Sequence, residues 1–259
     1  MATQEDLEDA RLQQILLQQL QSLQRAGVRQ LPRAGILSGE IPPGKPDQPP
    51  ATSLSPAPEM QSTPSPENAL EQLELLRQKV AGCTLCDELA ASRTQTVFGV
   101  GNPQARLCFF GEAPGRDEDR QGEPFVGRAG KLLTDIIHKG MQLQREDVYI
   151  LNVLKCRPPG NRNPSPEEAN CCRPFFERQL EIIQPEFICC LGTVATQNLL
   201  QTRETIGRLR GTVHNWQGIK VIATYHPAYL LRNPAAKKDT WEDIQLLMRE
   251  MENTTGDTV

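Results

Sequence analysis

Residues 67–251 alternate short β-rich runs with longer helix-like runs, and this alternation limits the chain to few architectures. The β-rich runs are 106–110, 148–153, 187–191 and 220–225. The helix-like runs are 67–81, 128–139, 166–184, 193–200 and 239–251. Such a sequence predicts an α/β domain with a central, mostly parallel four-stranded sheet and helices on both faces.

The sequence before residue 67 has a different texture. Residues 1–30 predict one amphipathic helix, because apolar residues recur at helical spacing at Leu12, Ile15, Leu16, Leu20 and Leu23. Ten prolines fall within residues 31–66, which predicts a disordered linker. The helix is either a docking element for a protein partner or a remnant without one. Residues 252–259 are expected to form a flexible tail.

Composition excludes some classes of protein. No run of eighteen apolar residues is present, so no membrane span is predicted. The acidic first ten residues lack a signal-peptide pattern, which favours a cytoplasmic location, and we expect a monomer. A net charge of −4 argues against binding nucleic acid through overall charge alone, although it leaves room for a local basic groove.

Polar and glycine-rich segments follow each of the four predicted strands. They begin at Gly111, Asn152, Gly192 and His226. Ligand sites in parallel sheets form beyond the carboxyl ends of the strands, so we expect these segments to meet there. By residue type alone, the acidic segment after Gly111 is also compatible with a solvated turn.

Eight cysteines in a chain without a signal peptide suggest metal ligands or buried thiols rather than disulfides. Cys83 and Cys86 form a C-x-x-C pair, and Cys156 follows a strand between two cations, where a thiolate is favoured. Buried, unreactive thiols are the better interpretation of the three cysteines inside apolar strands, Cys108, Cys189 and Cys190.

Adjacent Cys171 and Cys172 lie on a helix that Ser165 and Glu168 are expected to begin with a capping box. Pro174 is expected to kink or restart this helix. Helical phase favours Cys172 as a ligand, since it shares the inner face with Phe176. Four thiolates suit either zinc or a [4Fe–4S] cluster, and spacing does not separate the two.

Six motifs in this order resemble family 4 (iron–sulfur) uracil-DNA glycosylases. They are 83-CTLC-86, 111-GEAPG-115, 123-EPFVGRAG-130, 152-NVLKCRPPGNR-162, 172-CRPF-175 and 226-HPAYLLR-232. The resemblance, over about residues 75–250, implies a three-layer uracil-DNA-glycosylase-like fold and excision of uracil from DNA. It also implies a [4Fe–4S] cluster on Cys83, Cys86, Cys156 and Cys172.

The resemblance also implies roles for individual side chains. Phe125 matches the aromatic residue that stacks on uracil, Asn152 the amide that reads its edge, and His226 the catalytic histidine of the second motif. The first motif contributes Gly111, Ala113 and Gly115 to substrate binding. Better-known glycosylases of the superfamily carry aspartate at the position of Ala113, so water activation is not assigned by analogy. Glu112 and Glu118 are the acids expected to position water or orient His226.

DNA contacts are expected on two sets of residues. Phosphate contacts are assigned to Arg157, Arg162, Arg210 and Arg232. Tyr229, Leu230 and Leu231 either wedge into the base stack or begin the next packing layer. Two alternatives remain, a glycosylase for another deaminated base such as hypoxanthine and a non-catalytic iron–sulfur or zinc DNA-binding module. A protein that only binds DNA does not need a pocket formed by Phe125, Asn152 and His226, so their joint presence favours an enzyme.

Overall fold

The computed structural model describes residues 66–256, and its centre is one mixed six-stranded sheet. The strands are β1 (Val100–Gly101), β2 (Leu107–Gly111), β3 (Tyr149–Asn152), β4 (Phe187–Leu191), β5 (Val213–Trp216) and β6 (Ile219–Thr224). Their order across the sheet is β1-β3-β2-β4-β6-β5. Strands β3, β2, β4 and β6 run parallel, as predicted.

The predicted count of four strands is wrong, because an antiparallel strand closes each edge. β1 pairs with β3 and is only two residues long. β5 pairs with β6 and alternates exposed with partly buried residues. A parallel strand is recognised in a sequence as a buried apolar run. Neither edge strand is such a run, so neither was predicted.

Helices cover both faces of the sheet and complete the three layers. They are α1 (Pro66–Ala81), α2 (Asp87–Ser92), α3 (Arg116–Gln121), α4 (Arg128–Asp135), α5 (Pro166–Ile183), α6 (Thr193–Leu200), α7 (Ile206–Leu209), α8 (Pro227–Arg232) and α9 (Lys237–Gly256). A π-helical turn, Ile136–Gly140, continues α4, and 3-10 turns lie at Arg145–Asp147, Pro159–Asn161 and Pro234–Ala236. No helix in residues 66–256 is long and apolar enough to cross a membrane.

Two apolar cores lie on opposite sides of the sheet, since successive strand residues face opposite ways. Phe110 contributes to the core beneath α1 and α5. Its neighbour Phe109 contributes to the core beneath α4 and α9. Cys108 and Cys190 belong to the first core and Cys189 to the second, all fully buried, which confirms their interpretation as packed thiols.

Helix α5 begins as predicted, and of the two outcomes expected at Pro174, a kink or a restart, the restart does not occur. The Ser165 side chain accepts a hydrogen bond from the Glu168 N–H, and the Glu168 carboxylate accepts one from the Ser165 N–H. The helix continues through Pro174 to Ile183. Fully buried Phe176 and nearly buried Leu180 anchor the turns that follow. This packing outweighs the one backbone hydrogen bond that proline removes.

The domain ends later than predicted. α9 continues to Gly256, so the first residues of the predicted tail, 252–256, are helical. The predicted helix over residues 1–30, the predicted linker over 31–66 except its last residue, and residues 257–259 lie outside the described residues; Pro66 itself begins α1.

The topology places a ligand site at the carboxyl ends of the central parallel strands. The chain leaves β2 towards β3 on one side and later returns to β4 on the other side. The loops after β2 and β4 therefore diverge, and a crevice opens at their carboxyl ends.

Candidate active site

A cavity of about 370 Å³ lies beyond the carboxyl ends of the parallel strands. Its walls come from the segments after β2, β3 and β6, together with the loop that precedes α4. The residues predicted from the sequence that line it are Glu112, Ala113, Gly115, Glu118, Phe125, Asn152, Arg162, His226, Tyr229 and Arg232. Residues more than a hundred positions apart in the sequence, such as Glu112 and Arg232, thus line one site.

Gly111 brings the other substrate-binding candidates together. It ends β2 directly beside Asn152 on β3. A Cβ at this position would lie 2.2 Å from Asn152 Oδ1 and 2.7 Å from the Phe125 ring. Only glycine leaves room for both side chains, so Gly111 acts through the absence of a side chain.

Asn152 carries an unused hydrogen-bond acceptor. The residue is 1% exposed, and within the described residues its Oδ1 accepts no hydrogen bond. Its backbone oxygen, by contrast, accepts from the buried Lys155 ammonium at 2.9 Å. A buried amide oxygen without a donor costs free energy, so an orphan at the wall of a cavity indicates a ligand that donates to it.

Phe125 is held in a backbone conformation that non-glycine residues rarely adopt, with φ of 54°. Glu118 Oε1 accepts from the N–H groups of Val126 and Gly127, each at 3.0 Å, and so fixes the loop. A Cβ on Gly130 would clash with the Phe125 carbonyl. The strain is therefore maintained by the surroundings and sets the position of the ring.

Glu118 also helps to place the aromatic ring, because its Oε1 holds the backbone after Phe125. Its expected role in positioning water or orienting His226 stays a prediction.

His226 faces Phe125 across the site, with ring centroids 5.6 Å apart and planes inclined by 33°. Its Nδ1 accepts from the Ala228 N–H at 3.1 Å, which places the proton of the neutral ring on Nε2. Burial, together with the positive charge of Arg232, lowers the pKa of His226 from 6.5 to about 4. At neutral pH the ring is an uncharged donor.

Glu112 is the carboxyl group that remains available in the cavity. Within residues 66–256, no hydrogen bond or ion pair holds its side chain. Burial raises its pKa above 4.5. A carboxylate that is partly desolvated and free of partners is suited to orienting a water molecule.

The predicted DNA-contacting arginines divide into two groups. Arg162 and Arg232 line the cavity, and Arg157 lines an adjoining cleft. Arg210 lies elsewhere: its Nε donates to the fully buried Asp243 at 3.1 Å, and its ring neighbour is Tyr225. The assignment of Arg210 to DNA is therefore wrong, because its guanidinium is committed to the fold.

The apolar segment after His226 is also divided. Tyr229 and Leu231 are 39% and 38% exposed, whereas Leu230 is 1% exposed and packs inside. The prediction that Leu230 could reach a base stack is wrong, since one turn of α8 points it into the core. Tyr229 stacks on Tyr225 at 5.1 Å between ring centroids, which steadies it at the cavity rim.

Three of the four cysteines predicted as ligands, Cys86, Cys156 and Cys172, belong to or pack against the core beneath α1 and α5. Burial, together with mutual repulsion of their thiolate forms, raises the pKa of Cys86 to about 12 and that of Cys172 to about 11, and burial raises the pKa of Cys156. Charge interactions also link Cys83 to Cys156 and Cys172.

Two hydrogen-bond donors approach this group of thiols. Arg93 Nη1 donates to Cys156 Sγ at 3.1 Å, and the Lys155 N–H donates to Cys172. Within the described residues, no three His, Cys, Asp or Glu side chains converge tightly enough to hold a single metal ion. Cys171 is partly exposed and reaches Cys86, so the structure brings it nearer the group than helical phase suggested.

Some residues of the site act through the backbone or from the rim and were not predicted. Ala228 fixes the tautomer of His226 through its N–H, and Asn161 and Asn163 line the cavity. Asn161 follows Gly160, and both adopt positive φ. The Gly-Asn pair is a turn signal that predicts such a conformation.

Comparison with known proteins agrees with this geometry. The sequence profile of the Uracil DNA glycosylase superfamily matches residues 98–245. The Type-4 uracil-DNA glycosylase of Archaeoglobus fulgidus is 47% identical over 184 residues, which cover 68% of this chain and 92% of the relative. That of Thermotoga maritima is 45% identical over 179 residues, with the same coverage. The Type-5 uracil-DNA glycosylase of Thermus thermophilus is 31% identical over 157 residues, or 49% of this chain and 71% of its own length. The chain belongs to the uracil-DNA glycosylase superfamily and, within it, to the type-4 enzymes.

Proposed function

We propose that this chain hydrolyses the N-glycosidic bond of uracil in DNA and leaves an abasic site, as base excision repair of deaminated cytosine requires. The observation that carries this proposal is the partnerless Asn152 Oδ1 in the wall of the cavity, among the residues that the structure describes. Membership of the type-4 family supports the same reaction.

Asn152 matches the edge of uracil and mismatches that of cytosine. Uracil presents an N3–H donor beside the O4 acceptor, so an amide accepts from the first through Oδ1 and donates to the second through Nδ2. Cytosine presents an acceptor at N3 and an amino donor at C4. Because Asn152 is buried and fixed beside Gly111, cytosine would leave both sites with unpaired polar groups, which is the strongest form of rejection.

Phe125 and His226 act on the bound base. The phenyl ring offers a stacking face. As the C1′–N1 bond breaks, positive charge develops on the sugar and negative charge on the uracil. The Nε2–H of neutral His226 donates to uracil O2, and one such donor to a developing anion contributes about 3 kcal/mol. A neutral donor suits this step, since its proton need not leave.

Glu112 is the acid we assign to the water. Its carboxyl lines the cavity and has no partner among the described residues. It orients the water that attacks C1′ of the sugar, while Ala113 beside it contributes only a methyl group. The target nucleotide enters the cavity after leaving the base stack. The exposed Tyr229 lies at the rim, where the stack would be interrupted, and Leu231 on the same helix is exposed as well.

We further propose that Cys83, Cys86, Cys156 and Cys172 hold a [4Fe–4S] cluster. A donor set of four thiols without histidine suits this cluster, and the Arg93 guanidinium and the Lys155 backbone N–H already donate to two of the sulfurs. When bound, the cluster supplies a cross-link rather than redox turnover. It ties the end of α1 to the loop after β3 and to α5.

Oligonucleotides that differ in one base test this proposal. We expect abasic product from uracil-containing strands and none from cytosine-containing strands. Asn152→Ala is expected to lower kcat/KM for uracil by about 100-fold while leaving Tm unchanged or higher, since it removes a buried unsatisfied group. Product from hypoxanthine but not uracil would reassign the substrate. Binding without product from any base would leave only a DNA-binding module.

A cytoplasmic location and a monomeric state of the protein stay predictions.

A further inference from the structure

A second cleft of about 270 Å³ adjoins the active-site cavity and is lined by three arginines. They are Arg116, Arg128 and Arg157. The cleft shares Ala129 and Asn161 with the cavity, so the two form one continuous surface. Whatever binds in the cleft is therefore next to the occupant of the cavity.

The guanidinium groups in this cleft are available to a ligand. Arg116 and Arg128 are exposed and make no hydrogen bond or ion pair within residues 66–256. Arg157 uses Nε to donate to Asn161 and makes no ion pair in that part of the chain. By contrast, two other surface arginines, Arg106 and Arg208, are each ion-paired with a glutamate.

The position of Arg128 is unfavourable in the absence of an anion. Arg128 is the first residue of α4. The start of a helix carries a partial positive charge, which disfavours cations there, and α4 has no acidic residue in its first turn. A local arrangement that opposes helix stability is expected where function requires it.

The cleft is not purely basic, and its carboxylates matter. Asp117 and Glu118 also line it. Glu118 is bound to the N–H groups of Val126 and Gly127. Neither carboxylate comes within ion-pair distance of the three guanidiniums among the described residues, so the cleft keeps an excess of positive charge.

We propose that Arg116, Arg128 and Arg157 form a phosphate-binding subsite that grips the DNA backbone next to the extrahelical nucleotide. The inference rests on the proposed function and names the part of the DNA that the cleft binds. Guanidinium groups pair with phosphate oxygens through two parallel hydrogen bonds. Such contacts set the register of the strand without reading sequence. They direct the deoxyribose of the target nucleotide towards Glu112 and His226.

The salt dependence of DNA binding tests the subsite. The probe is a single-stranded oligonucleotide with one 2′-fluoro-2′-deoxyuridine, whose fluorine slows cleavage. For Arg116→Gln and Arg128→Gln we expect Kd to rise about 10-fold. The slope of log Kd against log salt should fall by about 0.7 for each phosphate that the variant no longer neutralises. Arg128→Lys should retain the slope, since it keeps the charge.

Two controls separate the subsite from general effects. Arg208→Gln removes a cation that is exposed and ion-paired with Glu204, and it should leave Kd and slope at wild-type values. Inhibition by free uracil should be unchanged in Arg116→Gln and Arg128→Gln, because free uracil has no phosphate. Weaker inhibition in either variant would mean that the substitution disturbs the cavity, and it would overturn the subsite.

Neutral phosphates give the decisive comparison. Methylphosphonate is placed singly at each linkage within three nucleotides of the uracil analogue. At one linkage, the methylphosphonate should raise the Kd of the wild-type protein about 10-fold. At that same linkage it should not raise the Kd of Arg128→Gln any further. Equal losses in wild type and variant at every linkage would overturn the subsite. A wild-type protein that excises uracil but shows unchanged variants refutes only the subsite, whereas a wild-type protein that excises nothing refutes the proposed function.

Discussion

Replacing Gly111 with alanine should damage catalysis far more than folding. The new Cβ would lie 2.2 Å from Asn152 Oδ1, more than 1 Å closer than the 3.4 Å at which ordinary van der Waals contact begins. It would also lie 2.7 Å from two carbons of the Phe125 ring. One or both side chains must therefore move by about 1 Å, and a displacement of that size at a reacting site costs about 100-fold in rate.

The cost in stability is smaller. An added methyl group in a packed site destabilises by about 1–3 kcal/mol, which leaves the domain folded. The assay is single-turnover release of uracil from an oligonucleotide, alongside thermal unfolding. We expect kcat/KM for Gly111→Ala to fall about 100-fold, with uracil binding weakened in parallel.

Gly207→Ala is the matched control. A Cβ on Gly207 meets nothing within 4 Å, and its φ is not positive, so alanine fits in α7 without strain. This variant should keep wild-type activity with equal or higher Tm. Wild-type activity in Gly111→Ala would refute the inference that close approach of Asn152 and Phe125 builds the site.

Three further predictions concern other parts of the molecule. The pKa of His226 is lowered to about 4, so the reaction rate should be constant through pH 6.5 and should fall only when acid protonates the ring. If the active form of His226 were the cation, the rate would instead decline as the pH rises above the pKa of the ring. Cys172→Ser should lose iron and the absorbance near about 400 nm that iron–sulfur proteins show, whereas Cys171→Ser should keep both; the reverse result would exchange their roles. Arg210→Met should lower the free energy of unfolding by about 3 kcal/mol, since it leaves the buried carboxylate of Asp243 unpaired. It should not change the salt slope of DNA binding, and a reduced slope would return Arg210 to the DNA surface.

The parallel core and most of the site were predictable because both leave local signals. Buried parallel strands are short apolar runs, and the residues that follow them meet in space. Gly111, Asn152 and His226 each follow this rule. The edge strands escaped prediction because Val100–Gly101 is too short to show a pattern and Val213–Trp216 is half exposed.

The errors have a common physical origin: each side chain has a contact within the fold that the sequence does not reveal. Arg210 resembles any surface cation until Asp243, 33 residues later in the chain, is seen beside it. Leu230 differs from Leu231 only in helical phase, and that phase is set by where α8 begins. Contacts of this kind also add roles, since no sequence signal shows that Glu118 Oε1 accepts from the backbone after Phe125.

The central claim is that His226 and Asn152 act on uracil in DNA, and release of the free base tests it most directly. Uracil release is measured under single turnover from a uracil-containing oligonucleotide, with the cytosine counterpart and His226→Ala alongside. We predict release from the uracil strand alone, slowed about 100- to 1,000-fold in His226→Ala. No free uracil from the wild-type protein, or equal release by His226→Ala, would contradict the account.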